Sequence, residues 1–308
     1  MPKISVIIPT YNRAGYLNEC LASVFNQSYK DFEVIMVDDG STEDTGGMIL
    51  KNYPGRVIYL RHELNLGKGK IFPALFTGLN ASNSEYILLL GDDDLLEKGH
   101  METAMRIFKS MPDAGCFSAD MIQIDADGNV RSGESHFTAY LRERERGFKL
   151  TDKVVTIEDV FMYGLGTASS GAMFKKEMIN EIGFYREEYG VAADWEYALR
   201  VAASRFKLYF CSMPSVRYRS HSTNISKDYY GAAKLKLMIL THALQDYPQL
   251  KKNLGYIKIK RRMFGLIKEF AACSFKAGRY KEPAIIIAKT LLKMHLLFMG
   301  RGYNEKIV

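Results

Sequence analysis

Three consecutive aspartates, Asp92, Asp93 and Asp94, follow an apolar run at residues 86–90 after a single glycine, Gly91. Adjacent carboxylates repel and raise each other's pKa, so such a cluster is costly unless positive charge sits against it. A divalent cation with oxygen ligands meets that need, and the same ion binds a diphosphate. An Asp-rich turn, or a helix cap for the segment after Leu96, is the alternative that requires no ligand. A second acidic pair, Asp38 and Asp39, ends the run at 32–37 and leads into Gly40, Ser41 and Thr42. It reads as turn and cap chemistry or as a fixed carboxylate that accepts the N–H of a nucleobase. Asp194, just before the sole tryptophan, Trp195, reads as a helix N-cap. His221 follows Tyr218, Arg219 and Ser220 and reads by itself as a surface histidine.

These residues need elements to position them. Residues 3–9 are a β-branched apolar run ending in Pro9, as a buried parallel strand is. Leu17, Leu21, Val24 and Phe25 then recur at helical spacing within 14–26. Further strands are expected at 32–37, 57–60 and 86–90, and helices at 45–53, 71–81 and 100–109. This alternation implies βαβ units, a mainly parallel sheet and an α/β fold. Ligands in such sheets bind beyond the carboxyl ends of the strands, where both acidic clusters fall.

After Pro112 the pattern changes. Two strands are expected in 115–130 around the turn Asp125-Ala126-Asp127-Gly128, with a charged surface segment at 141–149. Helices are expected at 154–163, 175–182 and 193–203, and short strands at 208–211 and 216–218. From Tyr229 onward only helical periodicity remains, in segments near 230–247, 250–277 and 281–299.

The chain has 308 residues, 47% of them hydrophobic and 25% charged, which excludes a disordered chain or a small disulfide scaffold. The isolated cysteines, Cys20, Cys116, Cys211 and Cys273, read as reduced thiols of a cytoplasmic protein. No signal-peptide pattern follows Met1, and no apolar run reaches the length of a membrane span. The net charge of +7 is unevenly placed. From Asp228 onward sixteen Lys and Arg stand against five Asp and Glu, so this tail carries +11 and the body −4. The tail reads as a helical appendage on an anionic membrane near a lipid-linked acceptor. It also reads as a packed subdomain with its lysines outside, or as the interface of a homo-oligomer. A nucleic-acid partner is not expected, because the basic run has few interleaved aromatics.

The run Ser5-Val6-Ile7-Ile8-Pro9-Thr10-Tyr11-Asn12-Arg13, then Gln27-Ser28-Tyr29, then Phe32 through Thr42 (FEVIMVDDGST) resembles the opening of family 2 glycosyltransferases with the GT-A fold. The resemblance continues through Asn65-Leu66-Gly67, the Asp triple (the family's DXD site), Ser170-Gly171, Asp194-Trp195 and Tyr218-Arg219-Ser220-His221. It covers roughly residues 3–226. It implies a Rossmann-like, mostly parallel sheet flanked by helices, with the C-terminal helices as an appendage. The expected division is a nucleotide-sugar-binding half at 1–112, an acceptor-binding half at 113–227 and a basic helical region at 228–308.

The resemblance also implies roles. Pro9, Thr10 and Tyr11 line the base pocket, with Tyr11 stacking on the base. Asp39 accepts the uracil N3–H, and Asp92 lies near the ribose. Asp93 or Asp94 holds Mn²⁺ or Mg²⁺, with His221 joining the metal shell. Asn65, Lys68 and Lys70 contact the diphosphate or the sugar. Asp194 is the catalytic base, although the family's acidic pair reads Ala193-Asp194 here.

The expectation is a metal-dependent, inverting hexosyl- or N-acetylhexosaminyl-transferase, cytoplasmic and peripheral on the inner face of the membrane. It moves a sugar from a nucleotide-sugar donor, UDP-linked first, to a surface glycan or lipid-linked glycan. Rival readings are transfer to polyprenyl phosphate, toward which Asn65-Leu66-Gly67-Lys68-Gly69 leans, and a non-catalytic glycan-binding protein, which Ala193 favours. A sugar-phosphate nucleotidyltransferase would need a glycine-rich basic loop after the first strand, and residues 9–15 are not one.

Overall fold

The structure, a computed structural model, describes residues 1–67, 71–135, 151–166 and 169–298. The charged segment 141–149, Lys68 and Lys70 lie outside the described residues. Strands and helices first alternate as β1 (Ile4–Thr10), α1 (Ala14–Phe25), β2 (Phe32–Asp38), α2 (Thr45–Asn52), β3 (Ile58–Arg61), α3 (Phe72–Ala81) and β4 (Tyr86–Leu89). A two-residue β5 (Leu95–Leu96) and α4 (His100–Ser110) follow. The next stretch holds β6 (Ala114–Ile124), β7 (Val130–Ser135), β8 (Lys153–Val155), α5 (Ile157–Tyr163), β9 (Met173–Lys175), α6 (Lys176–Ile182), α7 (Ala193–Ala203) and β10 (Lys207–Arg219). Three helices close the described chain: α8 (Tyr229–Asp246), α9 (Gln249–Lys276) and α10 (Lys281–Phe298).

One sheet runs in the order β3-β2-β1-β4-β9-β6-β10-β5, with β7 added to β6 and β8 to β10. Its long ladders, β1 on β2, β1 on β4, β2 on β3 and β10 on β6, are parallel. The antiparallel pairings are short and involve the small strands. β1 is buried on both faces. Ile4, Val6 and Ile8 join Leu17 and Leu21 of α1 and Met101 of α4, whereas Ile7 joins Phe72 and Leu75 of α3. Gly78 lets α3 approach closely, because a Cβ there would sit 2.5 Å from the Ile7 side chain.

Where the elements differ from the expectations, tertiary pairing decided. The two short strands near 208–218 are one strand, β10, whose ladder to β6 slips between Cys211 and Val216. Pro214 sits in that slip, where a residue without an N–H is tolerated. The expected helix at 154–163 begins instead at Ile157, because Thr156 and Asp159 form a capping box, and β8 occupies 153–155. The three-residue β9, too short to show a period, fits antiparallel between β4 and β6.

The inner faces of the C-terminal helices belong to the main core. Leu237, Leu240, Leu244, Met263, Leu266 and Phe270 share one cluster with Phe161 and Trp195. Of the readings of the tail, packing on the body therefore holds for this face.

Candidate active site

The loops after β1 and β2 are sewn together by Asn12, whose φ of 51° is positive. Asparagine is among the few non-glycine residues that adopt this region readily. The Asn12 N–H donates to Ser41 Oγ (2.9 Å), and its Oδ1 accepts from the Thr42 N–H (2.7 Å). Asp38 is spent on the same turn. It accepts from the Ser41 N–H (2.7 Å) and from the Tyr59 hydroxyl (2.7 Å).

Between these loops lies a cavity of about 700 Å³, lined among others by Pro9, Thr10, Tyr11, Asp39, Asn65 and Asp92. All six expected nucleotide-sugar residues thus line one cavity. Tyr11 is 42% exposed there, so its ring is no part of the core. Asp39 is buried and held on three sides. Oδ1 accepts from the Leu66 N–H (3.1 Å) and lies 2.6 Å from His62 Nδ1, and Oδ2 accepts from the Gly67 N–H (2.8 Å). A carboxylate has about four acceptor sites, and the described residues use three of them.

The acidic triple splits into three roles. The Thr10 hydroxyl donates to Asp92 Oδ2 (2.7 Å), and Arg13 Nη1 donates to Asp92 Oδ1 (3.1 Å) and to Asp93 Oδ2 (2.9 Å). Asp93 Oδ2 also lies 2.8 Å from His221 Nε2, whose ring stacks on Tyr16 with centroids 5.1 Å apart. Asp94 turns away. Its Oδ1 accepts from the Arg219 N–H at the end of β10 (2.8 Å). Burial, reinforced by the Asp93 charge, lifts the Asp94 carboxyl well above the usual range and the Asp92 carboxyl to about 6, with Arg13 opposing the rise at Asp92. Arg219, fully buried, donates to the Asp93 carbonyl (2.9 Å), the Ala126 carbonyl (2.9 Å) and Glu19 (2.6 Å), and so fixes the loop.

Among the described residues no three His, Cys, Asp or Glu side chains converge as a metal-holding group. Of the expected metal residues, Asp93, Asp94 and His221, the structure places two together and the third apart. Asp93 and His221 are brought together, and Asp94 supports the backbone of β10. Carboxylate and imidazole are ligand types that a divalent ion such as Mn²⁺ accepts.

Asp194 lines neither this cavity nor the adjoining one of about 160 Å³, which carries the Asp triple and Ser170. It is the second residue of α7 rather than its N-cap, which is Ala192, and Oδ1 accepts from the Trp195 N–H (2.8 Å). Half-buried, its carboxyl is pushed up to about 7 by desolvation. Glu196, two residues on, is bound at both oxygens by Arg200 (3.0 and 2.8 Å) and is no alternative base.

Sequence reasoning assigned no role to Arg13, Tyr16 or His62. The signal for Arg13 was present: three adjacent acids need a cation, and an arginine stands in the first loop.

Residues 5–180, more than half of the chain, match the family described as Glycosyl transferase family 2. The chain belongs to that family. Its similarity to the GalNAc(5)-diNAcBac-PP-undecaprenol beta-1,3-glucosyltransferase of Campylobacter jejuni is 27% identity, over 93% of this chain and 92% of that protein. It is also 27% identical to Glycosyltransferase GlyA of Streptococcus pneumoniae over 82% of its length, but spans only 35% of GlyA. It matches 21% of the length of the Escherichia coli chondroitin synthase, at 32% identity.

Two solved structures share the fold. The S. aureus TarS fragment 1–349 with UDP-GlcNAc superposes with a TM-score of 0.59 at 16% identity, covering 99% of this chain and 94% of that one. The mannosyltransferase PcManGT from Pyrobaculum calidifontis, with GDP-Man and Mn²⁺, gives 0.60 at 19% identity, covering 98% and 88%. The fold of this family 2 chain is therefore GT-A, with C-terminal helices added.

Proposed function

We propose that this family 2 glycosyltransferase moves a hexosyl or N-acetylhexosaminyl group from a UDP-linked donor to a hydroxyl of a surface glycan or lipid-linked glycan, with inversion. The observation that carries the reading is the meeting of Asp39, Asp92 and the half-exposed Tyr11 on one cavity of about 700 Å³. That volume is within the range of cofactor-sized pockets. The undecaprenol-linked glycan named for the Campylobacter relative and the UDP-GlcNAc bound by TarS support the acceptor and donor classes.

In this reading residues 1–112 bind the donor and 113–227 the acceptor. Tyr11 stacks on the base, and Asp39 receives its N–H. Thr10 and Arg13 orient Asp92 toward the ribose. Asp93 and His221 would hold the divalent ion, which, when bound, supplies positive charge to the leaving diphosphate.

The acceptor oxygen attacks the anomeric carbon on the face opposite the diphosphate. The bond from that carbon to the diphosphate oxygen breaks, and its electron pair leaves with the nucleoside diphosphate. The hydroxyl proton passes to Asp194 in this reading, which rests on the family resemblance and on a carboxyl pushed up to about 7 rather than on a place in either cavity wall. The transition state is oxocarbenium-like, and single displacement inverts the centre.

A thermal-shift series with UDP and GDP, in Mn²⁺ and in excess chelator, tests the reading. UDP with Mn²⁺ is expected to raise Tm by several degrees, and UDP in chelator to do little. Equal shifts in chelator remove the metal from the reading, and no shift with any nucleotide removes the donor.

A further inference from the structure

The outer face of α9 carries side chains that the core does not use. With Gly255 breaking the helix at a φ of 73°, the regular part begins beside Tyr256. At 100° per residue, Ile257, Phe264 and Phe275 fall within about 20° of one another, and Arg261 and Lys268 within about 40° of Ile257. Ile257 is 80% exposed, Phe275 72% and Phe264 39%. The opposite face, with Ile259, Met263, Leu266 and Phe270, is buried. Large apolar residues and cations thus alternate along one exposed stripe.

The acids are sorted to the other side. Across α9 and α10 only Glu269 and Glu282 are acidic. Glu269 lies 3.9 Å from Lys236 of α8, and Glu282 pairs with Lys234 and accepts from the Tyr230 hydroxyl (3.1 Å). Both therefore turn toward α8, and among the described residues no acid forms an ion pair with Arg261 or Lys268. No helix among the described residues is long and apolar enough to cross a membrane.

We propose that this stripe is a docking face for an anionic lipid surface, on which α9 lies flat. Ile257, Phe264 and Phe275 enter the headgroup boundary, and Arg261 and Lys268 meet lipid phosphates. An interfacial helix combines these two features, and either alone binds weakly. A second copy of this chain fits less well, since a two-fold interface would set the basic stripe against itself. Membrane docking and core packing use opposite faces of the same helix. The inference goes beyond sugar transfer and does not depend on it.

The test uses the full chain in sedimentation with vesicles of phosphatidylcholine, with and without phosphatidylglycerol. Binding at least tenfold tighter to the anionic vesicles, weakened by salt, is expected. The double variant Ile257→Asp, Phe275→Asp should lose at least tenfold of that binding, while its Tm and its UDP-induced shift match the parent. The pair Arg261→Glu, Lys268→Glu should abolish the preference for anionic lipid. Equal binding to both vesicle types, or unchanged binding by the apolar variant, overturns the proposal. So does a dimer in light scattering that the apolar variant dissolves. The UDP shift in the same preparations reports on the donor reading separately.

Discussion

Arg13 Nη1 lies 2.9 Å from Asp93 Oδ2, so an arginine from the first loop holds a cation's position beside the acidic triple. The same guanidinium donates through Nη2 to the Thr223 carbonyl (3.0 Å), tying the segment after β10 to the loop after β1. Removing one partner of a buried ion pair costs about 3–5 kcal/mol, and partial exposure of Arg13 reduces this to about 1–3 kcal/mol. Arg13→Gln is therefore expected to lower Tm by several degrees in chelator, with Mn²⁺ restoring much of the loss. Differential scanning fluorimetry in both buffers checks this, and an unchanged Tm in chelator would show that the acids need no partner.

Asp93 and Asp94 are adjacent yet point to different tasks. Asp93→Asn should weaken Mn²⁺ at least about tenfold, a typical loss when a ligand shell is disturbed. Asp94→Asn should leave Mn²⁺ affinity within about twofold, because its carbonyl can still accept from the Arg219 N–H. Titration of Mn²⁺ by electron paramagnetic resonance reads both, and equal losses would return Asp94 to the metal.

Asp39→Asn should weaken UDP by about 1–3 kcal/mol, the value of a charge-assisted hydrogen bond. The amide nitrogen must also face one of the N–H groups of Leu66, Gly67 or His62, so a modest fall in Tm accompanies it. Calorimetry below the melting range separates the two effects. Unchanged UDP affinity would leave Asp39 as a loop anchor alone.

Asp194 titrates near 7 in the folded protein and near 3.8 unfolded, so the folded state holds the extra proton between these values. Stability linked to this group is full below about pH 4 and is lost as pH rises through 7. Asp194→Asn mimics the protonated form. It should match the parent below about pH 4 and exceed it increasingly as pH rises, by about 1 kcal/mol or more at pH 8.5. Its transfer rate should fall by roughly 10²–10⁴, the usual cost of a lost general base. Melting curves across pH, with product assays on the same preparations, check both, and retained turnover removes Asp194 from the mechanism.

The alternation from β1 to α4 was legible in the chain because each element announces itself locally, β1 by its β-branched run and α1 by the spacing of Leu17, Leu21 and Val24. The strand ends that carry Thr10, Asp39 and Asp92 followed from it, since parallel strands put their carboxyl ends on one edge. The short strands β5, β8 and β9 were not legible. Two or three residues carry no period, and they become strands only because a distant edge pairs with them.

The same division runs through the site. Sequence alone determined that carboxylates crowd the edge of a parallel sheet, because residue type and strand order are local properties. Only the tertiary structure decided that Asp93 meets His221, that Asp94 turns to Arg219 and that Arg13 pairs with Asp92 and Asp93. These contacts join residues 79 to 128 positions apart. Which oxygen meets which cation depends on side-chain direction at the end of a folded strand, and no spacing along the chain encodes that.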